Sequence, residues 1–376
     1  MRIVEEIARF GLKIFAHHRF NFKFTYEQFN PKRKEPYFLI ANHASSNDPL
    51  YLGMQLKYYP YPVANALLYT KPGLRFGLTK VVKSIVKRKG QSDIATIKDI
   101  LETFRVKKRG VMLFPEGNAS YFGEETPTDF LSTAKLLKKV KEDCIIAKIH
   151  GGFFAQPRWG KHVKKGHYQV HFKRLFSKEE LEVLTVHQIN ETHLEVMKFN
   201  DYEWNKKAKL SYKGKQKAIG LEHYLYGCPT CKATQTIKTN KNDIYCKSCG
   251  KIATIGDDNF LVDAPFKTLI EWDYFQKTLL KGIIKKPIQT EGVLFDIDFK
   301  KQKRFSKGLS KITLDRNHIH IETNTFQKNY PIHQIKGLAL TQKNFISFDV
   351  EDQTYDIEMM HAKLFLDAYQ FIKGDV

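Results

Sequence analysis

"YFLIANHASSNDP", residues 37–49, is an apolar run that stops at a histidine and meets an acid and a proline five residues later. Five apolar residues in succession, Tyr37 to Ala41, suit a strand buried on both faces. Asp48 then reads as a helix N-cap with Pro49 at the first helical position, which predicts a helix over 48–58. His43 therefore falls where a strand end meets a helix start, the place where layered α/β proteins bind ligands. If Asp48 turns back, its carboxylate holds one ring nitrogen of His43 and leaves the other to accept a proton. Such a relay lacks an enzyme nucleophile, so the nucleophile would be a hydroxyl on the substrate. A structural histidine beside a capping aspartate produces the same spacing, and a second signal is needed to decide.

That signal is "RGVMLFPEGNAS", residues 109–120, another short apolar run that ends in Phe114, Pro115, Glu116 and Gly117. Gly117 permits close approach of the backbone to a ligand. The loop after the strand offers N–H groups to an anion, and Glu116 can accept hydrogen bonds from a polyol or hold a basic phosphate ligand. Between the two motifs, residues 69–90 supply Lys71, Arg75, Arg88 and Lys89 for a phosphate. Residues 144–149 read as a further strand, and 91–108 and 127–140 as helices. The alternation is that of an α/β layered domain.

The two motifs in this order resemble the glycerolipid acyltransferases, specifically the 1-acylglycerol-3-phosphate acyltransferases, over roughly residues 1–205. The resemblance implies that His43 is the general base and Asp48 its partner. It places acceptor-binding roles on Lys71, Arg88, Glu116 and Gly117. It also implies an acyl thioester co-substrate, carried by acyl carrier protein or coenzyme A, with neither a metal nor an acyl-enzyme in the reaction. Two departures stand out. Ala119 occupies the place of an arginine, which points to an alternative acceptor, another lysophospholipid or a glycolipid. In the strand at 144–149, Ala147 or Lys148 stands where the family usually has a proline.

The chain has 376 residues and a net charge of +22, so two or three domains and an attraction to polyanions are expected. No run is apolar enough to span a membrane, and "MRIVEEIARF" does not read as a signal peptide. Residues 3–15 place Ile3, Val4, Ile7, Gly11, Ile14 and Phe15 near one helical face, with Phe10 flanking it. An amphipathic helix of this kind packs on its own domain or lies in a bilayer interface. The expected location is peripheral, on the cytoplasmic face of a membrane, in contact with anionic lipid.

Of five cysteines, Cys144 lies alone in an apolar run and reads as core. Cys228, Cys231, Cys246 and Cys249 form two C-x2-C pairs separated by fourteen residues, the spacing of a zinc ribbon with a closed, structural tetrahedral site. Nucleic acid is not the expected partner of this module. From about residue 285 short strands separated by turns lead to one final helix, a layout resembling a pleckstrin-homology or GRAM-like barrel. The expected organisation is an acyltransferase domain over 1–210, a zinc ribbon with flanking helices over 211–280 and a mostly-β domain over 285–376. A non-catalytic lipid- or nucleic-acid-binding scaffold is the rival to the enzyme reading.

Overall fold

The computed structural model describes residues 2–88, 94–126 and 128–374, so Lys89 lies outside the described residues. Seven strands build the first sheet: β1 (Phe20–Glu27), β2 (Phe38–Ala41), β3 (Tyr61–Asn65), β4 (Ile85–Lys87), β5 (Val111–Leu113), β6 (Cys144–His150) and β7 (Gly166–Phe176). Their spatial order is β1-β7-β6-β2-β5-β3-β4. All neighbours run parallel except β6 and β7.

β2 is central, and its side chains divide between two cores. Leu39 and Ala41 join one cluster with Tyr51, Ile145 and Ala147. Phe38 and Ile40 join another with Phe104, Leu137 and Ile146, under the helices Ile94–Arg105 and Leu131–Val140. Two-sided burial is why this run is uninterrupted rather than alternating. β2 pairs in parallel with β5, Phe38 opposite Val111 and Ile40 opposite Leu113. Their C-terminal ends therefore lie side by side, which brings the histidine motif and the Pro-Glu-Gly motif together although about 70 residues separate them.

A second, four-stranded sheet carries the cysteines: β8 (Ile237–Asn240), β9 (Asp243–Cys246), β10 (Gly250–Ile255) and β11 (Leu261–Val262). The helix Leu269–Thr278 follows it and holds the segment that leads into the cysteines. Trp272 is fully buried and donates its indole N–H to the Gly227 carbonyl at 2.8 Å.

The third sheet holds β12 (Ile288–Asp298), β13 (Lys303–Leu314), β14 (His318–Thr323), β15 (Gln327–Pro331), β16 (Lys336–Thr341), β17 (Phe345–Val350) and β18 (Gln353–Met359), in the order β15-β14-β13-β12-β18-β17-β16. Among the described residues its neighbouring strands all pair antiparallel. A closed barrel would pair its two outer strands, but β15 and β16 do not pair among the described residues, so the sheet is an open half-barrel. The final helix, Ala362–Lys373, covers it as expected, with Leu364, Phe365 and Ala368 buried.

The N-terminal helix runs further than the apolar spacing suggests, Arg2–Arg19. Ala16 is buried against the domain and Leu12 half-buried, while Ile7, Phe10, Ile14 and Phe15 stand out from it. Among the described residues no helix is long and apolar enough to cross a membrane.

Candidate functional site

The loops that follow β2 and β5 are tied by hydrogen bonds to main-chain groups. Glu116 Oε1 accepts the His43 N–H at 2.9 Å, and its Oε2 accepts the Thr126 N–H at 3.1 Å. The Ser120 N–H donates to the His43 carbonyl at 2.7 Å. Gly117 closes the turn by donating to the Phe114 carbonyl at 3.0 Å, with φ +71°. That is left-handed backbone, which a Cβ would strain. Burial pushes the Glu116 carboxyl up to about 8, against the pull of its two N–H donors. Both carboxyl oxygens are thus engaged by main-chain N–H groups of the fold itself.

His43 and Asp48 meet through Nδ1 and Oδ2 at 3.0 Å. Asp48 is fully buried and also accepts the Ser45 N–H at 2.8 Å and the Tyr168 hydroxyl at 2.6 Å. Three converging donors suit an ionised carboxylate, which obliges His43 Nδ1 to carry its proton and leaves Nε2 as the acceptor. No side-chain hydrogen bond engages Nε2 among the described residues. The ring packs over Phe114, with centroids 4.3 Å apart. Asp48 is not the N-cap. That position belongs to Asn47, and Asp48 opens the helix Asp48–Gly53 with its side chain turned back. The partial positive charge of the helix start still favours its carboxylate.

His43, Glu116 and Gly117 line a cavity of about 1390 Å³, larger than the roughly 300–1,000 Å³ of common small-molecule pockets. Its lining includes apolar side chains, among them Leu67, Leu74, Leu78 and Val82, and polar or cationic ones, among them Arg88, Arg109, Arg158 and Asn118. Arg88 lies over the Phe299 ring, 4.5 Å from its centroid. Lys71 is absent from the lining: it donates to the Gln342 side chain and sits over Phe345 in the third sheet. Arg75 likewise reaches the third sheet, 3.4 Å from Gln302 Oε1. Cys144 is fully buried and its thiol pKa is pushed up by that burial, so it is core.

Three residues here escaped the sequence reading. Tyr168 reaches Asp48 from β7. Asn42 clamps β6, donating to the Ile149 carbonyl at 3.0 Å and accepting the Ile149 N–H at 2.7 Å. Arg158 joins the cavity to the third sheet. Only Asn42 has a signal, as a polar residue directly after a buried strand.

The sulfurs of Cys228, Cys231, Cys246 and Cys249 all lie within 4.8 Å of one another. Cys228 and Cys249 are 3.5 Å apart, Cys231 and Cys246 3.7 Å. A tetrahedral ion with bonds of about 2.3 Å to sulfur needs edges of about 3.8 Å, so the four residues fit zinc. The Ser248 N–H and the Thr236 hydroxyl approach Cys246 at 3.3 and 3.1 Å, partners that suit a thiolate.

Residues 22–147 match the family model described as Acyltransferase, a stretch that contains both motifs. Among solved structures, the chain is similar to the crystal structure of the 1-acyl-sn-glycerophosphate acyltransferase from Thermotoga maritima. The identity is 14% and the TM-score 0.40, over 50% of this chain and 72% of that one. No curated protein matches the chain.

Proposed function

We propose that the protein transfers a fatty acyl group from a thioester to the free hydroxyl of 1-acylglycerol-3-phosphate, a reading supported by the match of residues 22–147 to the Acyltransferase family model. The observation that carries this reading is the His43–Asp48 pair at 3.0 Å, with His43 in the wall of a cavity whose lining includes both apolar and cationic side chains. His43 Nε2 takes the proton of the acceptor hydroxyl. The oxygen attacks the thioester carbonyl carbon, and the tetrahedral intermediate collapses with cleavage of the carbon–sulfur bond. The leaving thiolate takes the proton back from the imidazolium, giving an ester and a free thiol. Asp48, held by Ser45 and Tyr168, fixes the tautomer and steadies the imidazolium. In this reading the apolar lining side chains receive the acyl chain, and a lining cation receives the phosphate.

Ala119, in place of an arginine, favours a second reading in which the acceptor is another lysophospholipid or a glycolipid. Thioester consumption measured across a panel of lysolipids separates the two. Preference for acceptors without a terminal phosphate monoester would overturn the first. Donor preference follows from parallel kinetics with acyl carrier protein and coenzyme A thioesters.

The four cysteines hold a structural zinc in this reading. With all four positions filled by sulfur, the ion organises the second sheet and takes no part in transfer. The N-terminal helix serves as the membrane contact. Ile7, Phe10, Ile14 and Phe15 are 66%, 68%, 57% and 47% exposed, an apolar face suited to an interface, and the +22 charge suits anionic lipid.

A further inference from the structure

The third sheet, which the sequence assigns no chemistry, forms part of the catalytic cavity. Gly337, Leu338, Ala339, Thr341 and Gln342 line it together with His43 and Glu116. They belong to β16, an outer strand of its sheet, and the turn that follows it. The pairing of β16 with β17 slips between Lys336 and Ala339, and Gly337 sits at φ +61° within the slip. Such a bulge re-aims a strand edge.

Arg158 fastens this edge to the catalytic loop. Its Nη1 donates to the Ala119 carbonyl at 3.0 Å, one residue from the Ser120 N–H that holds the His43 carbonyl. Its Nη2 donates to the carbonyls of Leu340 and Gln342, at 3.1 and 3.0 Å. The guanidinium lies 4.7 Å from the centroid of the Tyr121 ring. Arg158 is 6% exposed, yet among the described residues no carboxylate lies within ion-pair distance of it, and its buried Nε has no hydrogen-bond partner. The Tyr224 hydroxyl also interacts with Arg158. Three carbonyl dipoles, a neutral hydroxyl and a ring face only partly offset a buried cation, and buried charges are ordinarily paired. A cavity-lining guanidinium in this state is suited to an anion supplied by the ligand.

We propose that the acceptor's anionic headgroup, a phosphate ester, is bound at the seam between the acyltransferase domain and the third sheet. Arg158 is its cation, and the edge Gly337–Gln342 is the wall that limits its size. The proposal rests on the acyltransferase reading and deepens it: the third sheet belongs to the acceptor site.

The test compares kcat/KM for lysophosphatidate with that for monoacylglycerol, which has no phosphate. In Arg158→Gln the preference for the phosphorylated acceptor falls tenfold or more, while the KM for the thioester is unchanged, and Arg158→Lys restores part of the preference. Equal losses on both acceptors, or no loss, overturn the anion role. Because Arg158→Gln also loosens the seam, Leu338→Phe provides an independent variant. It narrows the wall and selects against lysophosphatidylglycerol relative to lysophosphatidate about tenfold, with an unchanged melting temperature. An unchanged ratio overturns the wall. Calorimetric titration of each variant with lysophosphatidate below its micelle concentration keeps the two readings distinct. Charge-dependent binding without acyl transfer leaves the seam site standing and removes the reaction. Acyl transfer with binding indifferent to both substitutions removes the seam site and leaves the reaction. Absence of binding and of transfer removes both.

Discussion

Glu116 Oε1 accepts the main-chain N–H of His43 at 2.9 Å, so the acid of one motif holds the backbone of the other. With Thr126 on Oε2, the carboxylate joins three chain segments. In Glu116→Ala two main-chain N–H groups lose their acceptor, at about 1–3 kcal/mol each. The expected result is a lower unfolding free energy together with a transfer rate reduced about tenfold or more, read by denaturant titration and thioester consumption.

The same carboxyl carries a pH dependence. Burial raises its folded-state pKa to about 8, above the ordinary 4.5. Folding therefore binds a proton between these values. The stability linked to this group is complete below about pH 4.5 and is lost as pH rises through about 8. Glu116→Gln cannot ionise and lacks that decline. Unfolding free energies measured between pH 6 and 9 are expected to fall for the natural protein relative to the glutamine variant. Parallel profiles would refute the assignment.

Within the relay, His43→Ala is expected to lower acyl transfer about 100-fold or more with folding retained, the effect of removing a positioned general base. Tyr168→Phe removes one of three donors to Asp48 and leaves the His43 contact in place, so a fall of about three- to tenfold is expected. A rate unchanged in His43→Ala would remove the mechanism.

For the cysteine cluster, elemental analysis of freshly purified protein is expected to give one zinc per chain. Cys246→Ala or a strong chelator should release it and unfold the second sheet. Trp272 donates to Gly227, the residue before Cys228, so its fluorescence reports the loss directly. Protein with no bound metal and an unperturbed Trp272 would rule the site out.

Membrane contact through the first helix predicts binding to anionic vesicles that weakens with added salt. Phe10→Ser and Phe15→Ser should each weaken it about tenfold, since burying a phenylalanine contributes about 1.5–3 kcal/mol. The sequence spacing ranks Phe15 above Phe10, but the helix leaves Phe10 the more exposed, 68% against 47%. Phe10 is accordingly expected to matter at least as much. Full binding by a chain lacking residues 1–18 would refute the helix as the attachment.

The parts of the site legible in the sequence are local ones. The run Tyr37–Ala41 announces a doubly buried strand, and His43 and Asp48 lie five residues apart, within reach of one turn. What Asp48 does with its carboxylate was less legible, because a capping aspartate and one turned back share the same sequence. Tyr168 and Arg158 were not legible at all. Their partners lie 120 and 182 residues away, and only the order of strands brings them together. Alternating apolar residues reveal the strands of the third sheet, but closure depends on register and twist, which alternation does not encode. Hence a barrel was expected where the sheet is open.

The seam also orders events in time. The first sheet is complete with β7, which ends at Phe176, whereas the residues of the third sheet that line its cavity begin at Gly337. At about 5–20 residues per second of synthesis, roughly 10–30 seconds separate the emergence of the two. During that interval the nascent chain lacks Leu340 and Gln342, whose carbonyls accept from Arg158 in the complete protein. If the seam binds the acceptor, its selection is acquired late in translation, after the residues of the proposed relay have been made.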